Sequence, residues 1–251
     1  MPDYLDTASG RRIAYHRTEG RDPGIVFLGG FKSDMTGTKA VHLETWARAL
    51  GRAFLRFDYS GHGDSSGAFE DGCIGDWAED AAEAVEKLTE GPQVLVGSSM
   101  GGWIALLLAR RKPEKVAGLV GIAAAPDFTE DGMWAEFDAA QRAALERDGR
   151  LELPSDYSDE PYVITRRLIE DGRRHLVLRD PLVLPFPVRL LQRTADEDVP
   201  VDRPLMLIDH ADAADMRLTL VKGADHRFSS PDCLALIETT IAEVTSRAAE
   251  I

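Results

Sequence analysis

Residues 93–102 read QVLVGSSMGG, and the fold follows from this stretch. An apolar run stops at Gly97-Ser98-Ser99-Met100-Gly101, and a helical pattern starts at Met100 with no linker between them. A serine with glycine two residues before and two residues after it fits a sharp strand-to-helix turn, because neither flanking position then carries a Cβ. Such a turn presents the hydroxyl and leaves the following N–H groups at a helix N-terminus, where negative charge is favoured. With 22 glycines in 251 residues, composition alone gives this pattern to about one serine in a hundred. Ser98 has Val96 and Met100 at the same offsets, so Ser99 is the candidate nucleophile.

Outward from the turn, short apolar runs alternate with helical patterns, the mark of a parallel α/β sheet. Strands are predicted at 12–17, 24–28, 53–58, 93–98, 116–123, 188–192 and 216–221. Helical spacing places Leu43, Trp46, Ala47 and Leu50 on one face over 39–50. It does the same for Ile74, Trp77, Ala78, Ala81, Val85 and Leu88. A helix from Met100 to about Arg110 follows the turn. Ser230-Pro231-Asp232 opens a last helix, with Leu234, Ile237, Ile241 and Val244 inward. Residues 127–184 carry more charge, aromatics and breakers, with helical stretches near 133–146 and 162–171. The expectation is one α/β domain over residues 1–251, a mostly parallel sheet flanked by helices, with 127–184 inserted as a helical cap.

Composition narrows the function. The chain has 29 basic and 43 acidic residues, a formal net charge of −14. That field repels phosphate backbones and anionic lipid, which sets aside nucleic-acid and membrane-surface partners. Cys73 and Cys233 lie far apart with no metal-ligand spacing, and read as reduced spectators. No HExxH, P-loop or strand-linked GxGxxG implies a metal or cofactor. No apolar targeting segment opens the chain and no run of eighteen apolar residues occurs, so a cytoplasmic protein is expected. The preference for Arg over Lys points to a GC-rich bacterial genome.

A serine hydroxyl needs a base, and the base a carboxylate to orient it. Of six histidines, His16, His42 and His175 fall in strand, helix and cap patterns, His62 in a GHG turn and His210 in a helical segment. His226 follows the 216–221 strand through the short loop KGAD, where an imidazole can overhang the sheet edge. The carboxylate belongs after the preceding strand, where Asp196, Glu197 and Asp198 compete. The D-x-x-V-P spacing favours Asp196, which leaves Asp198 to solvent or a cap.

With GGFKSDMTGTKA, LRFDYSGHGDSSG, VLVGSSMGGW, RKPEKVAGLVGIAAA and GADHRFS in view, the chain resembles an α/β-hydrolase over nearly its whole length. More narrowly, it is similar to the palmitoyl-protein thioesterase and acyl-glucuronide esterase branch of the abhydrolase-domain proteins. The resemblance implies a serine hydrolase of esters or thioesters with no cofactor, acting on a small-molecule or acylated substrate. Carried over by position, Ser99 is nucleophile, Asp196 orienter and His226 base, and the N–H groups of Met100 and Phe31 form the oxyanion hole. Gly29-Gly30 stands where many members carry His-Gly, so Gly30 competes with Phe31 as second donor. Gln192-Arg193 replaces a common His-Gly before the acid loop. Trp103 reads as core packing. Phe128, Met133, Trp134 and Phe137 open the cap, and form either an acyl-chain wall or a helix packed on the sheet. A triad-based lyase of the cyanohydrin type and a non-catalytic binding protein are the rival readings.

Overall fold

Alternate residues of the buried strands face opposite ways, and two cores result. Ile25 and Phe27 pack with Leu43, Ala47, Ile237 and Ile241, whereas Val26 and Leu28 pack with Trp77, Val85, Trp103 and Leu107. The computed structural model describes residues 1–154, 161–223 and 227–249. Its strands through the first half are β1 (Asp3–Asp6), β2 (Arg12–Thr18), β3 (Arg21–Leu28), β4 (Arg52–Phe57), β5 (Gln93–Ser98) and β6 (Val116–Ile122). Helices α1 (Thr38–Ala49), α2 (Ile74–Leu88) and α3 (Met100–Arg111) connect them. Beyond β6 come α4 (Ala139–Asp148), the hairpin strands β7 (Arg150–Leu153) and β8 (Tyr162–Thr165), and α5 (Arg166–Gly172). β9 (Leu182–Val183), β10 (Val188–Arg193), α6 (Asp202–His210), β11 (Ala211–Asp212), β12 (Met216–Val221) and α7 (Pro231–Ala248) complete the chain.

The central sheet has eight strands in the order β1-β2-β4-β3-β5-β6-β10-β12. β1 and β2 are antiparallel, and the other six run parallel. α1 and α7 cover one face and α2 and α3 the other. Six parallel strands put six carboxyl ends along one edge, where the loops after β3, β5 and β10 leave the sheet. All six positions expected to face inward on α2 are buried, as are the four on α7. On α1, Leu43 and Ala47 are buried but Leu50, at the C-cap, is exposed.

The departures lie between β6 and β10. The helix expected over 133–146 is broken. A π-helix runs Thr129–Trp134, and Asp138 then adopts an extended conformation to cap α4. The Asp138 carboxylate accepts the Gln141 N–H at 2.8 Å and the Gln141 side chain accepts the Asp138 N–H at 2.9 Å. This is a capping box, which restarts a helix instead of continuing one. The helix expected over 162–171 begins as strand β8, because Thr165 is the N-cap of α5, its hydroxyl accepting the Leu168 N–H at 3.1 Å.

Candidate active site

Ser99 stands between β5 and α3 with φ 53° and ψ −119°, a conformation that side chains rarely adopt and that surrounding contacts must hold. Its N–H donates to the Ile122 carbonyl at 2.9 Å, and its own carbonyl accepts the N–H groups of Gly102 at 2.9 Å and Ala125 at 3.1 Å. The flanking glycines are steric necessities. A Cβ on Gly97 would overlap the Gly101 carbonyl oxygen. One on Gly101 would overlap the Leu28 carbonyl oxygen and come within 2.6 Å of the Gly29 oxygen. Ser99 is half-buried at the sheet edge, whereas Ser98 ends the strand as a buried residue.

Met100 is the first residue of α3, so its N–H lies in the orphan first turn. The loop after β3 passes directly over the serine, since a Cβ on Gly30 would stand 3.5 Å from the Ser99 Cβ. Phe31 follows, and among the described residues its N–H has no hydrogen-bond acceptor. The structure therefore brings Ser99, Met100, Gly30 and Phe31 together.

Asp196 lies on the loop after β10 and is 7% exposed, whereas Glu197 and Asp198 are exposed. Its Oδ1 accepts the N–H groups of Asp198 and Val199, both at 3.0 Å. Its Oδ2 accepts Gln192 Nε2–H at 3.2 Å, and the same amide donates to the Val199 carbonyl at 2.7 Å. Gln192 thus braces the loop that carries Asp196. β10 and β12 pair from Val188↔Met216 to Arg193↔Val221, so the loops after both strands leave the sheet side by side. His226 lies outside the described residues. Among the other histidines, His42 meets Glu238 at 2.6 Å and His210 the Asp180 carbonyl at 2.8 Å, while the His175 carbonyl accepts the Trp103 indole N–H at 3.1 Å.

The apolar residues separate into two groups. Phe128 is half-buried, with ring centroids 5.6 Å from Phe31 and 5.5 Å from Trp103. Phe31 also meets Phe69 at 4.8 Å and Tyr162 at 5.9 Å, edge-on or tilted. Trp134 instead holds the guanidinium groups of Arg173 and Arg142 over its ring at 4.5 and 5.3 Å and packs on the buried Phe137 at 6.3 Å. Met133 is half-buried on the same π-helix. Trp103 is fully buried. Phe69 and Tyr162 were not singled out from sequence. The local patterns made one a loop residue and the other the start of a helix, and only tertiary packing brings them to Phe31.

The segment 127–184 is stitched to the body. Asp127, fully buried at φ 58°, accepts the N–H groups of Val177 at 2.8 Å and Leu178 at 3.0 Å, and burial raises its carboxyl above the ordinary range. Arg203 on α6 donates to the Asp131 carbonyl at 2.6 Å. Cys73 and Cys233 are free and buried, and burial pushes the Cys73 thiol up to about 12, far from a reactive thiolate. Among the described residues no group of three or more His, Cys, Asp or Glu could hold a metal ion, and no helix is long and apolar enough to cross a membrane.

Comparison with known proteins gives the family and the fold. Residues 28–159 match the family model for the alpha/beta hydrolase fold. The palmitoyl-protein thioesterase ABHD10 of Rattus norvegicus, named as mitochondrial, is 38% identical over 239 residues, covering 94% of this chain and 79% of that protein. A solved structure of a protein from Agrobacterium vitis S4, described as a hydrolase, is 40% identical with a TM-score of 0.93 over 98% of both chains. Mouse alpha/beta hydrolase domain-containing protein 10 superposes with a TM-score of 0.90 at 37% identity over 97% of both chains.

Proposed function

This chain belongs to the α/β-hydrolase fold family and is a hydrolytic enzyme, and on that premise we propose that it cleaves acyl thioesters and carboxylic esters through an acyl-enzyme on Ser99. The observation that carries the reading is the strained Ser99 backbone between two glycines that tolerate no Cβ, with the loop after β3 directly above it. In this reading His226 removes the Ser99 proton as Oγ attacks the acyl carbonyl. The oxyanion then accepts hydrogen bonds from the N–H groups of Met100 and Phe31. Collapse expels the thiol or alcohol, which takes the proton from His226. Water activated by the same imidazole hydrolyses the acyl-enzyme and restores the serine. Asp196 holds the imidazole in the productive tautomer. Its support is burial and two backbone N–H groups that fix the carboxylate. Phe31 is taken as the second donor from its position in the family likeness; its N–H, like that of Gly30, has no acceptor among the described residues.

The acyl chain lies against Phe31, Phe128, Phe69 and Tyr162, half-buried rings already in mutual contact. Residues 127–184 form the cap over this wall, and a small-molecule or acylated substrate enters beneath it. The name of the ABHD10 relatives favours a long acyl thioester over an acyl glucuronide. The free cysteines suit a reducing compartment, the cytoplasm in our reading. Mass analysis after fluorophosphonate treatment tests the chemistry. One adduct on the Ser99 peptide, lost together with thioesterase and esterase turnover in Ser99→Ala, is the expected result. An adduct retained in that variant, or located on Ser98, overturns the assignment.

A further inference from the structure

The glycine-rich turn after β4 holds a histidine that the proposed reaction does not use. His62 is buried, with its ring edge-on to Phe69 and Trp77 at 5.1 Å and to Tyr59 at 5.6 Å. Among the described residues its ring makes two polar contacts. The Lys32 N–H points at Nε2 at 3.3 Å, and Nδ1 meets the Ser60 carbonyl at 3.2 Å. A backbone N–H only donates and a carbonyl only accepts. Both contacts are therefore satisfied by one form, the neutral ring with its proton on Nδ1. Ser60 is itself immobilised, its N–H and hydroxyl donating to buried Asp80 at 2.9 and 2.7 Å while its carbonyl accepts the Trp77 indole N–H at 3.0 Å.

Lys32 needs such an anchor. Its φ of 58° lies in the left-handed region, which a residue with a side chain enters when its neighbours hold it there. It directly follows Phe31, and the Lys32 nitrogen shares a peptide plane with the Phe31 carbonyl. Further along the loop, Asp58 accepts the Met35 N–H at 2.6 Å, so the segment is gripped at both ends. From this arrangement we infer that His62 is a positioning residue, whose Nε2 lone pair fixes the 31–32 peptide and so aims the Phe31 N–H at the reacting carbonyl. The inference rests on the reading above that Phe31 supplies an oxyanion donor.

Two variants separate the two bonds. His62→Gln keeps an acceptor where Nε2 stood, whereas His62→Asn keeps a donor near Nδ1 and loses that acceptor. Deleting an oxyanion donor outright costs about 10²–10³-fold in kcat. Misaiming one in His62→Asn is expected to lower kcat and the fluorophosphonate labelling rate together by about 10–100-fold, with KM within about twofold. His62→Gln is expected within about threefold of the parent enzyme. Equal activity of the two variants, or a rise in KM at unchanged kcat, overturns the role. Nitrogen NMR of the unaltered protein gives a readout that needs no folded variant of low activity. The His62 ring should appear as the neutral Nδ1–H tautomer with an accepting Nε2, and an Nε2–H tautomer contradicts the inference. Labelling of a residue other than Ser99 in the unaltered enzyme overturns the underlying reading instead, and His62 with it.

Discussion

Ser99, Gly97 and Gly101 show how a few residue identities determine a strained backbone geometry. The serine's strained backbone survives because both glycines let carbonyl groups approach where a Cβ would stand. Gly101→Ala should therefore lower the unfolding free energy by about 1–3 kcal/mol, as overpacking does, and reduce turnover further by moving the Ser99 peptide. Denaturant titration and steady-state kinetics on one sample check both. Acidic residues on the loop after β10 separate equally sharply. Asp196→Asn should cost about 10³–10⁴-fold in kcat with the fold intact, because an amide presents the wrong partner to the imidazole. Asp198→Asn should cost less than about tenfold, since an exposed carboxylate acts weakly through solvent; the reverse ranking would place the orienting carboxylate at Asp198. The turn at Ser99, and the contrast between Asp196 and the exposed Asp198, are legible in sequence because each follows from short-range spacing. The bracing role of Gln192 is not, because it depends on an amide reaching across a turn to Asp196 and Val199.

At the scale of elements, the six parallel strands and their covering helices follow from apolar runs and 3.6-residue spacing. The segment between β6 and β10 obeys local chemistry that competes with that spacing. Asp138 and Thr165 cap helices in the middle of what periodicity reads as continuous helix. A D-x-x-Q signature at Asp138–Gln141 was available in the sequence, whereas the β7–β8 hairpin needs the pairing of Leu151 with Ile164 to be known. The same packing shifts emphasis within the apolar cluster. Phe128 touches Phe31, while Trp134 is occupied by two guanidinium groups and Phe137. With about 0.8 kcal/mol per buried methylene, kcat/KM should rise roughly three- to fourfold per carbon until the wall is covered. Phe128→Ala should shorten the preferred acyl chain and spare acetyl ester hydrolysis. Trp134→Ala should alter the profile less, and chiefly loosen the packing of Arg142, Arg173 and Phe137 around it. A chain-length series from acetyl to hexadecanoyl thioesters decides, and a flat series in all three proteins would move specificity to the leaving group.

Across the whole molecule, buried ionisable groups make stability depend on pH in opposing directions. Burial holds the His62 imidazole down to about 4, against an ordinary value of 6.5. The unfolded chain then binds a proton between these values that the folded chain refuses. Stability is full above pH 6.5 and falls by about 3 kcal/mol as the pH drops to 4. Burial also raises the carboxyls of Asp58, Asp80 and Asp127, so the folded form takes up protons first and gains stability as the pH falls toward 3.8. Comparing the enzyme with His62→Gln isolates the histidine, and urea unfolding from pH 7 to 4 should show a shallower loss in the variant. These effects tune the scaffold, while the proposed reaction turns on covalent chemistry at one serine. Rapid mixing with a decanoyl thioester, acid quenching and intact-mass analysis test it most directly. One decanoyl increment is expected, located on the Ser99 peptide, that forms and decays at rates compatible with kcat and is absent in Ser99→Ala. Turnover with no acyl-enzyme on Ser99, or undiminished turnover by Ser99→Ala, would contradict it.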